Sequence, residues 1–192
     1  MATPRRAPVQ RRSALRVERM LDAAAELLEE GGPDALTTSA IAAKAEVSVG
    51  SLYQFFPDKH AVAEALARRS FERFSQQLRL VDGSTWEAVV DQVIDTYVEF
   101  SRTEPGFLVL SFGGPLSKQM LDPSDDNNAV VAKAMAELVD LPIDVEVLRL
   151  AVEIGDAVLA LAFRTNRDGD PRLVGEAKTA VRAYLQAHLS PP

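Results

Sequence analysis

The chain has 192 residues, of which 47% are hydrophobic and 26% are charged, a balance typical of a globular protein. It has no cysteine and only two histidines, His60 and His188, which excludes disulfides and thiolate sites and disfavours a histidine-rich metal site, although carboxylates can still bind a hard cation. No apolar run approaches the ~20 residues that cross a bilayer, and residues 1–12 lack the apolar stretch of a signal peptide. We therefore expect a cytoplasmic protein without metal or cofactor.

The net charge of −7 is distributed unevenly along the chain. Residues 1–79 carry 12 Lys and Arg against 10 Asp and Glu, whereas residues 80–192 carry 9 against 18. Six arginines and one acid, Glu18, lie within the first 20 residues. A basic N-terminus on an acidic body is typical of a protein that contacts phosphate at one end, although a solvated basic tail explains the same charges.

Helical periodicity runs through nearly the whole chain, and strand signals are almost absent, which predicts an all-α protein of about nine helices. Residues 1–12 are predicted to be a flexible arm. The first helix is predicted from about Ser13 to Glu30, where Gly31-Gly32-Pro33 ends it. Two short helices are predicted at about residues 38–45 and 49–56, followed by a long helix, capped by Asp58, to about Arg79.

The second half of the chain is predicted to contain longer helices. Ser84 and Glu87 resemble a capping box before an apolar-periodic stretch that includes Trp86 and Phe100. A helix from about Pro105 is predicted to break at Gly113-Gly114-Pro115, a candidate flexible gate, and to resume to Leu121. The last three helices are predicted at about Ser124–Val139, Asp144–Arg164 and Pro171–Leu189.

The sequence of residues 36–59 predicts a helix-turn-helix, in which two short helices must pack tightly against each other. Ala42 and Ala45 supply the small side chains that such a crossing requires. Thr38 and Ser48 are expected to cap the two helices. The core beneath them is expected to contain Ile41, Val47, Leu52 and Phe56.

Four residues around this unit are poorly explained by stability. Gly50 lies in the first turn of a helix, where it costs about 0.5–1 kcal/mol relative to alanine. Lys59 and Arg16 place cations at the positive ends of helix dipoles, which a bound phosphate would make favourable. Tyr53 lies off the core face, where its hydroxyl can reach phosphate. The alternative is that all four are ordinary surface residues.

The stretch from about Arg16 to Leu66 resembles the DNA-binding domain of the TetR family of transcription regulators. The motifs that carry the resemblance are Glu-Gly-Gly-Pro-Asp-Ala-Leu-Thr-Thr, Ile-Ala-Ala-Lys-Ala, Val-Ser-Val-Gly-Ser-Leu-Tyr and Phe-Pro-Asp-Lys. The resemblance implies a three-helix DNA-binding domain at 13–60, a connecting helix at 58–79, and an effector-binding and dimerisation domain at 80–192. Beyond residue 80 only the helical layout is similar.

The resemblance also implies roles for individual residues. The segment from Val49 to Phe55 is expected to enter the major groove, with Val49, Gly50 and Gln54 against the bases. Phosphate contacts are expected from Arg16, Thr38, Ser48, Ser51, Tyr53 and Lys59. Glu46 stands where the family usually has glycine, so either about 1 kcal/mol of strain or a different turn is expected. Phe55 replaces a common His or Tyr, which puts a phosphate contact there in doubt.

In the family, the last two helices of each subunit form a four-helix bundle with a second copy. The corresponding helices here have apolar residues on more than one face, although two buried helices of a monomer explain the same pattern. The expected interface residues are Val147, Ala151, Ile154, Val158, Val174, Ala177, Val181, Tyr184, Leu185 and His188.

Aromatic and methionine residues between these regions are candidates for an effector pocket, since such side chains adapt to apolar ligands. The alternative is that they form the core. The candidate pocket residues are Trp86, Tyr97, Phe100, Phe107, Phe112, Met120, Met135, Glu153 and Phe163. Glu153 and its neighbour Asp156 either point inward toward a ligand, or face solvent or pair with Arg149.

Together these features predict a homodimeric repressor that binds a palindromic operator in double-stranded DNA and is released by a small apolar or amphipathic effector. A regulator that binds DNA without an effector is the main alternative. A helical carrier or enzyme is disfavoured because no nucleophile–base pair or metal constellation is present in the sequence. We therefore expect no catalytic residue and no membrane partner.

Overall fold

The computed structural model describes residues 7–83, 85–111, 127–138 and 143–189. These ranges form nine α-helices and contain no β-strand, which confirms the predicted all-α fold. In chain order the helices are α1 Ala7–Ala35, α2 Thr38–Lys44, α3 Val49–Tyr53, α4 Lys59–Leu78, α5 Trp86–Thr103, α6 Phe107–Ser111, α7 Asn127–Leu138, α8 Val145–Thr165 and α9 Pro171–Leu189.

The chain divides into two compact units. Of the described residues, those within 1–70 and 105–121 form the first unit, and those within 71–104 and 122–192 form the second. The boundary therefore falls inside α4, earlier than the predicted boundary at residue 80. In addition, α6 belongs to the first unit, although its position in the sequence suggested the effector domain.

The core of the first unit is built around α1. Apolar residues recur every three or four positions along this helix, so that one face of it is buried. α1 begins at Ala7, before the predicted start at Ser13, and the end of the predicted arm is therefore helical. Arg16 consequently lies within the helix, and its predicted place at the positive end of the helix dipole is wrong. Residues 1–6 of the arm lie outside the described residues. Buried members of this core include Met20, Leu28, Leu36, Ile41, Leu52, Val62, Leu66 and Leu110.

The predicted interruption at the end of α1 is confirmed at Gly32, whose φ of +65° is not helical. Glycine adopts this left-handed region without the steric cost that a Cβ imposes. One more turn, containing Pro33, continues to Ala35, so the helical segment is longer than predicted. Proline is tolerated there because the first turn of a helix leaves its N–H groups unpaired.

The start of α6 is held against α1. Gly106 has a φ of +74°, and a Cβ there would lie 3.2 Å from the carbonyl oxygen of Ala25. The N–H of Gly106 donates to a carboxylate oxygen of Glu29 at 3.2 Å. This contact groups α6 with the N-terminal helices. The predicted break at Gly113-Gly114-Pro115 lies outside the described residues.

In the second unit, α8 packs against α7 and α9, and α9 packs against α5. Ion pairs reinforce the last contact, since Arg182 donates to both carboxylate oxygens of Asp91 at 2.8 and 3.1 Å. Lys178 lies 2.6 Å from Asp95 one turn away. These pairs hold one flank of α9 against α5.

The helix boundaries of the second unit lie close to those predicted, because they depend on local signals. Thr85 accepts a hydrogen bond from the N–H of Ala88 at 3.2 Å and caps α5, whereas the predicted cap, Ser84, lies outside the described residues. Asp144 caps α8. α9 begins and ends at the predicted residues, Pro171 and Leu189.

Candidate functional site

Short side chains cap both helices of the helix-turn-helix. The hydroxyl of Thr37 accepts a hydrogen bond from the N–H of Ala40, and the hydroxyl of Ser48 accepts one from the N–H of Ser51, both at 3.1 Å. The prediction for Ser48 is confirmed, whereas the prediction that Thr38 caps α2 is wrong by one residue. Either of two adjacent threonines suits an N-cap, so the sequence alone did not distinguish them.

The pair of helices packs through small and apolar side chains, as predicted. Ile41, Ala42 and Ala45 of the first helix and its turn are buried, as are Leu52 and Phe56. Because Leu52 points into this core, the neighbouring positions of α3 point away from it at about 100° per residue. The inner face of α3 is therefore structural, and its outer face is free for another role.

The outer face of α3 exposes residues that folding does not explain. Val49 is 39% exposed and Tyr53 is 52% exposed, and Gly50 and Gln54 are exposed beside them. A Cβ added to Gly50 would meet no atom within 4 Å, so packing does not require glycine there. An exposed apolar side chain and aromatic ring on one short helix are typical of a binding surface.

Candidate phosphate ligands border this face. The hydroxyl oxygens of Thr38 and Tyr53 lie 3.5 Å apart, which joins α2 to α3 at the surface. Lys59 is the first residue of α4, after Asp58 has capped that helix. Among the described residues, neither Lys59 nor the exposed Arg16 forms an ion pair. Both cations are therefore available for an external anion.

Ser51 and Phe55, the two remaining residues of α3 and its C-terminal end considered under the family resemblance, have different surroundings. Ser51 is half-buried and donates its backbone N–H to the cap, Ser48. Phe55 is half-buried and packs against the core of the first unit. The ring of Phe55 thus has a structural role, in agreement with the doubt about a phosphate contact at that position.

The turn between α2 and α3 has the geometry of a Schellman motif. The N–H of Val47 donates to the carbonyl of Ala42 at 2.9 Å, and the N–H of Glu46 donates to that of Ala43 at 3.1 Å. Glu46 has a φ of +53° and is the only non-glycine residue with positive φ in the described part of the chain. Of the two alternatives, a strained glutamate or a different turn, the first is confirmed.

Three cations tie the surrounding helices to α1, a network that the sequence analysis missed. Lys44 lies 2.8 Å from Glu30 and 3.1 Å from Glu26, and these hydrogen bonds raise the pKa of Lys44. Arg69 of α4 lies 2.7 Å from Asp22 and 3.0 Å from Glu18. Arg19 donates to the carbonyl oxygen of Ala45. In the sequence, Arg19 and Glu18 contributed only to a charge count.

Aromatic rings cluster between α4 and α5 in the second unit. The ring of Phe74 lies 5.6 Å from that of Tyr97, in an edge-to-face arrangement, and 5.5 Å from that of Phe100. Phe74 is buried and was not among the predicted pocket residues, because its helix was assigned a connecting role. The Phe71 and Phe74 spacing of three residues was the available signal.

The other predicted pocket residues are spread over both units. Trp86 is half-buried at the start of α5, whereas Met135 of α7 and Phe163 of α8 are buried. Phe107 belongs to α6 and hence to the first unit, whereas Trp86, Met135 and Phe163 belong to the second. Phe112 and Met120 lie outside the described residues.

The two acids of α8 have different environments. Glu153 is exposed, which favours the second of the two alternatives, that it faces solvent. Asp156 is half-buried, and burial together with the negative charge of Glu153 raises its pKa to about 6. Arg149 lies 3.3 Å from Glu146, one turn earlier on the same helix.

The residues predicted to form an interface between copies fall into two groups. Ala151, Ala177, Val181 and Leu185 are buried within the chain, because α8 and α9 pack on each other through them. Val181 approaches Gly155 so closely that a Cβ there would lie 3.3 Å from it. For these four the prediction is wrong, since a buried side chain offers no surface. The remaining six are half-buried or exposed, namely Val147, Ile154, Val158, Val174, Tyr184 and His188.

Two exposed leucines on α8 were not among the predicted interface residues. Leu150 is 47% exposed and Leu161 is 43% exposed. At 100° per residue they lie on the same side of the helix as Val147, Ile154 and Val158, within an arc of about 80°. The five residues form an apolar stripe along α8 that we call the α8 stripe.

The described residues contain no group of three or more His, Asp or Glu side chains that could hold a metal ion. Within the same ranges, no helix combines the length and the apolar character that crossing a membrane requires.

Two family models match the chain. Residues 20–66 match a model described as bacterial regulatory proteins of the tetR family, and residues 84–189 match one described as a tetracyclin repressor-like C-terminal domain. A solved TetR-family transcriptional regulator from Streptomyces coelicolor is 36% identical, with a TM-score of 0.73. That alignment covers 91% of this chain and 99% of the other.

Two further similarities are more limited. The transcriptional repressor KstR of Rhodococcus jostii is 44% identical over 63 residues, which cover 32% of this chain and 29% of KstR. The match thus spans less than a third of that curated relative. FadR from Bacillus subtilis, solved in complex with stearoyl-CoA, is 16% identical with a TM-score of 0.63, covering 87% of this chain and 96% of FadR, and shares the fold alone.

Proposed function

Because the chain belongs to the TetR family of bacterial transcription regulators, we propose that it is a repressor that binds a palindromic operator as a homodimer and leaves it when a small effector binds the second unit. The observation that carries this proposal is the outer face of α3. Its exposed residues are not needed for folding, while its inner face is fixed by Leu52. A short, rigid helix with one free face suits the major groove of DNA.

Base contacts come from the outer face of α3. Gln54 can make paired hydrogen bonds with adenine, and Val49 can pack against a thymine methyl group. Gly50 allows the helix backbone to approach a base edge because no side chain intervenes. These three residues supply the sequence preference.

Phosphate contacts come from the rim of this face. The hydroxyls of Thr38 and Tyr53, the backbone and side chains of Ser48 and Ser51, and the cations of Lys59 and Arg16 hold the sugar-phosphate backbone. None of these contacts distinguishes one base from another, and they set the position of α3 on the duplex. Arginines at the start of the chain add a sequence-independent attraction.

Homodimerisation through α8 and α9 is supported by the α8 stripe, in which Leu150 and Leu161 remain 47% and 43% exposed. α9 contributes a row of small exposed residues at four-residue spacing that includes Thr179 and Ala183. Small residues let helices of two copies approach closely, and a row of large apolar side chains packs in the interface between them. Two operator half-sites then match the twofold symmetry of the dimer.

The effector site is proposed near the aromatic cluster of the second unit, at Phe74, Tyr97 and Phe100. Aromatic walls favour an apolar or amphipathic ligand. Trp86 is the only tryptophan of the chain and lies at the first residue of α5, the helix that carries Tyr97 and Phe100. Its fluorescence therefore serves as a probe for candidate effectors.

The DNA-binding part of the proposal is tested by titrating a labelled random-sequence duplex at several salt concentrations. We expect measurable affinity at low salt and a linear fall of log K with log salt, because cations displace the counterions of DNA. Absence of binding at about 50 mM salt would overturn the proposal. For the effector, a change in Trp86 fluorescence with one compound of a metabolite panel must coincide with release of DNA.

A further inference from the structure

The turn that aims α3 carries backbone strain at a residue that is not glycine. Glu46 occupies the left-handed position of a Schellman motif, the position at which glycine is favoured because it has no Cβ. A non-glycine residue there is less stable by of order 1 kcal/mol. Val47, the next residue, leads directly into the cap of α3, so the conformation of Glu46 sets the direction in which the chain enters that helix.

Arg19 of α1 reaches across to this turn. Its guanidinium donates a hydrogen bond to the carbonyl oxygen of Ala45, the peptide group that immediately precedes Glu46. The same nitrogen lies 3.7 Å from the carboxylate of Glu46. The carbonyl belongs to the C-cap residue of α2, where the chain lacks further helical N–H donors and where a cation is favoured by the helix dipole.

We infer that Arg19 is a positioning residue for the DNA-reading helix: it fixes the peptide before Glu46 and so holds the strained turn that aims α3. The inference rests on the proposed DNA-binding function. Arg19 therefore differs from Arg16, one turn earlier on α1, which is exposed and forms no ion pair within the described residues. Arg16 contacts phosphate, whereas Arg19 acts through the turn.

Lys44 provides the matched control. It also ties the end of α2 to α1, through Glu26 and Glu30, but its contacts are to side chains and do not involve the strained peptide. Removal of Lys44 therefore weakens the attachment of α2 without acting on the conformation of Glu46. Glu46→Gly relieves the backbone strain of the turn, and it leaves the contacts of Lys44 with Glu26 and Glu30 unchanged.

The experiment measures affinity for a duplex that the wild type enriches from random-sequence DNA. Arg19→Ala is compared in three backgrounds, namely wild type, Glu46→Gly and Glu46→Ala, and Lys44→Ala is compared in the first two. In the wild type we expect a roughly threefold to tenfold loss, the effect of one half-exposed charged hydrogen bond, with an unchanged salt slope. In the Glu46→Gly background the loss is expected to fall below about twofold, because glycine adopts the turn unaided. In the Glu46→Ala background the full loss is expected, since alanine keeps the strain and lacks only the carboxylate.

Two results overturn the inference. If Arg19→Ala lowers the salt slope by about one unit and costs the same in all backgrounds, Arg19 contacts phosphate. The second result is a rescue of DNA affinity that is not specific. If Glu46→Gly restores the affinity of Lys44→Ala as well as that of Arg19→Ala, Arg19 does not act through the turn. The same conclusion follows if Glu46→Ala restores the affinity of Arg19→Ala as well as Glu46→Gly does.

Amide hydrogen exchange without DNA separates this inference from the proposed function. The N–H of Val47 is bonded to Ala42 within the turn. Its exchange is expected to accelerate several-fold in Arg19→Ala and to remain slow when Glu46→Gly is also present. Slow exchange in every variant overturns the inference, and failure of the wild type to bind any DNA overturns the proposed function instead.

Discussion

Substitution of Gly50 by leucine tests whether the outer face of α3 contacts DNA. A Cβ at this position meets no atom within 4 Å, so the larger side chain extends into solvent without displacing a neighbour. Glycine in a helix is less favourable than leucine by up to about 1 kcal/mol. We therefore expect the melting temperature of Gly50→Leu to equal or slightly exceed that of the wild type.

The effect on DNA binding should be large and opposite. A leucine on the face that enters the groove separates α3 from the bases, and so removes several contacts at once. Each well-placed base contact contributes about 1–3 kcal/mol, so the loss of two predicts an affinity for operator that is at least about thirtyfold lower. Thermal melting and fluorescence anisotropy with a labelled operator measure the two effects on the same samples.

Gln76→Leu is the matched control, since it also adds a leucine to an exposed position of a helix, on α4. This variant is expected to bind operator normally. If Gly50→Leu melts like the wild type and binds operator at full strength, α3 does not face DNA and the reasoning from exposed residues is wrong. A loss of affinity shared by Gln76→Leu would indicate a general effect of surface leucines.

Three other predictions concern separate parts of the molecule. Leu161→Glu places a charge on the α8 stripe and should yield folded monomers by sedimentation, whereas Val181→Glu buries a charge inside the chain and should lower the melting temperature sharply. Lys59→Ala should lower the salt slope of DNA binding by about one unit, whereas Tyr53→Phe should weaken binding with the slope unchanged. Asp156→Asn should raise stability at about pH 8 by as much as about 3 kcal/mol but have little effect at about pH 3.5.

The sign of the last effect follows from the pKa of Asp156, which is raised from 3.8 to about 6 in the folded chain. Ionisation of Asp156 is therefore less favourable in the folded chain than in the unfolded chain, and the resulting loss of stability grows as the pH rises from 3.8 to about 6. An equal difference in melting temperature between Asp156→Asn and the wild type at both pH values would contradict this prediction. A Leu161→Glu protein that remains dimeric, or equal salt slopes for Lys59→Ala and Tyr53→Phe, would contradict the other two predictions.

Features that depend on neighbouring residues in the sequence were predictable. The caps at Ser48 and Asp58, the break at Gly32 and the ends of α9 follow from local hydrogen bonding and backbone preference. Apolar spacing likewise predicted which side of α3 is buried. The strain at Glu46 was one of two alternatives that followed from the resemblance together with the steric rule for left-handed residues, the other being a different turn.

Features that depend on distant packing were not predictable in the same way. Apolar spacing on α8 and α9 indicated several apolar faces but did not identify which face packs within the chain, so Val181 was assigned to a surface that it does not reach. α6 lies far from α1 in sequence, and only their packing places α6 in the first unit. The partners of Arg19 and Arg69 depend on the same packing, since ion pairs between helices have no local signature.

Selection of binding sites from random duplex DNA tests the central claim most directly. A dimer that presents two copies of α3 should enrich an inverted repeat whose half-site centres are separated by about one helical turn, ~10 base pairs, or somewhat more. Gln54→Ala should relax the preference at particular base pairs of both half-sites, by about 1–3 kcal/mol, and leave the spacing unchanged. Enrichment of a single asymmetric site by the wild type would contradict the account. It would also be contradicted if Gln54→Ala and Gly50→Leu enriched the same inverted repeat as the wild type, with undiminished base preference.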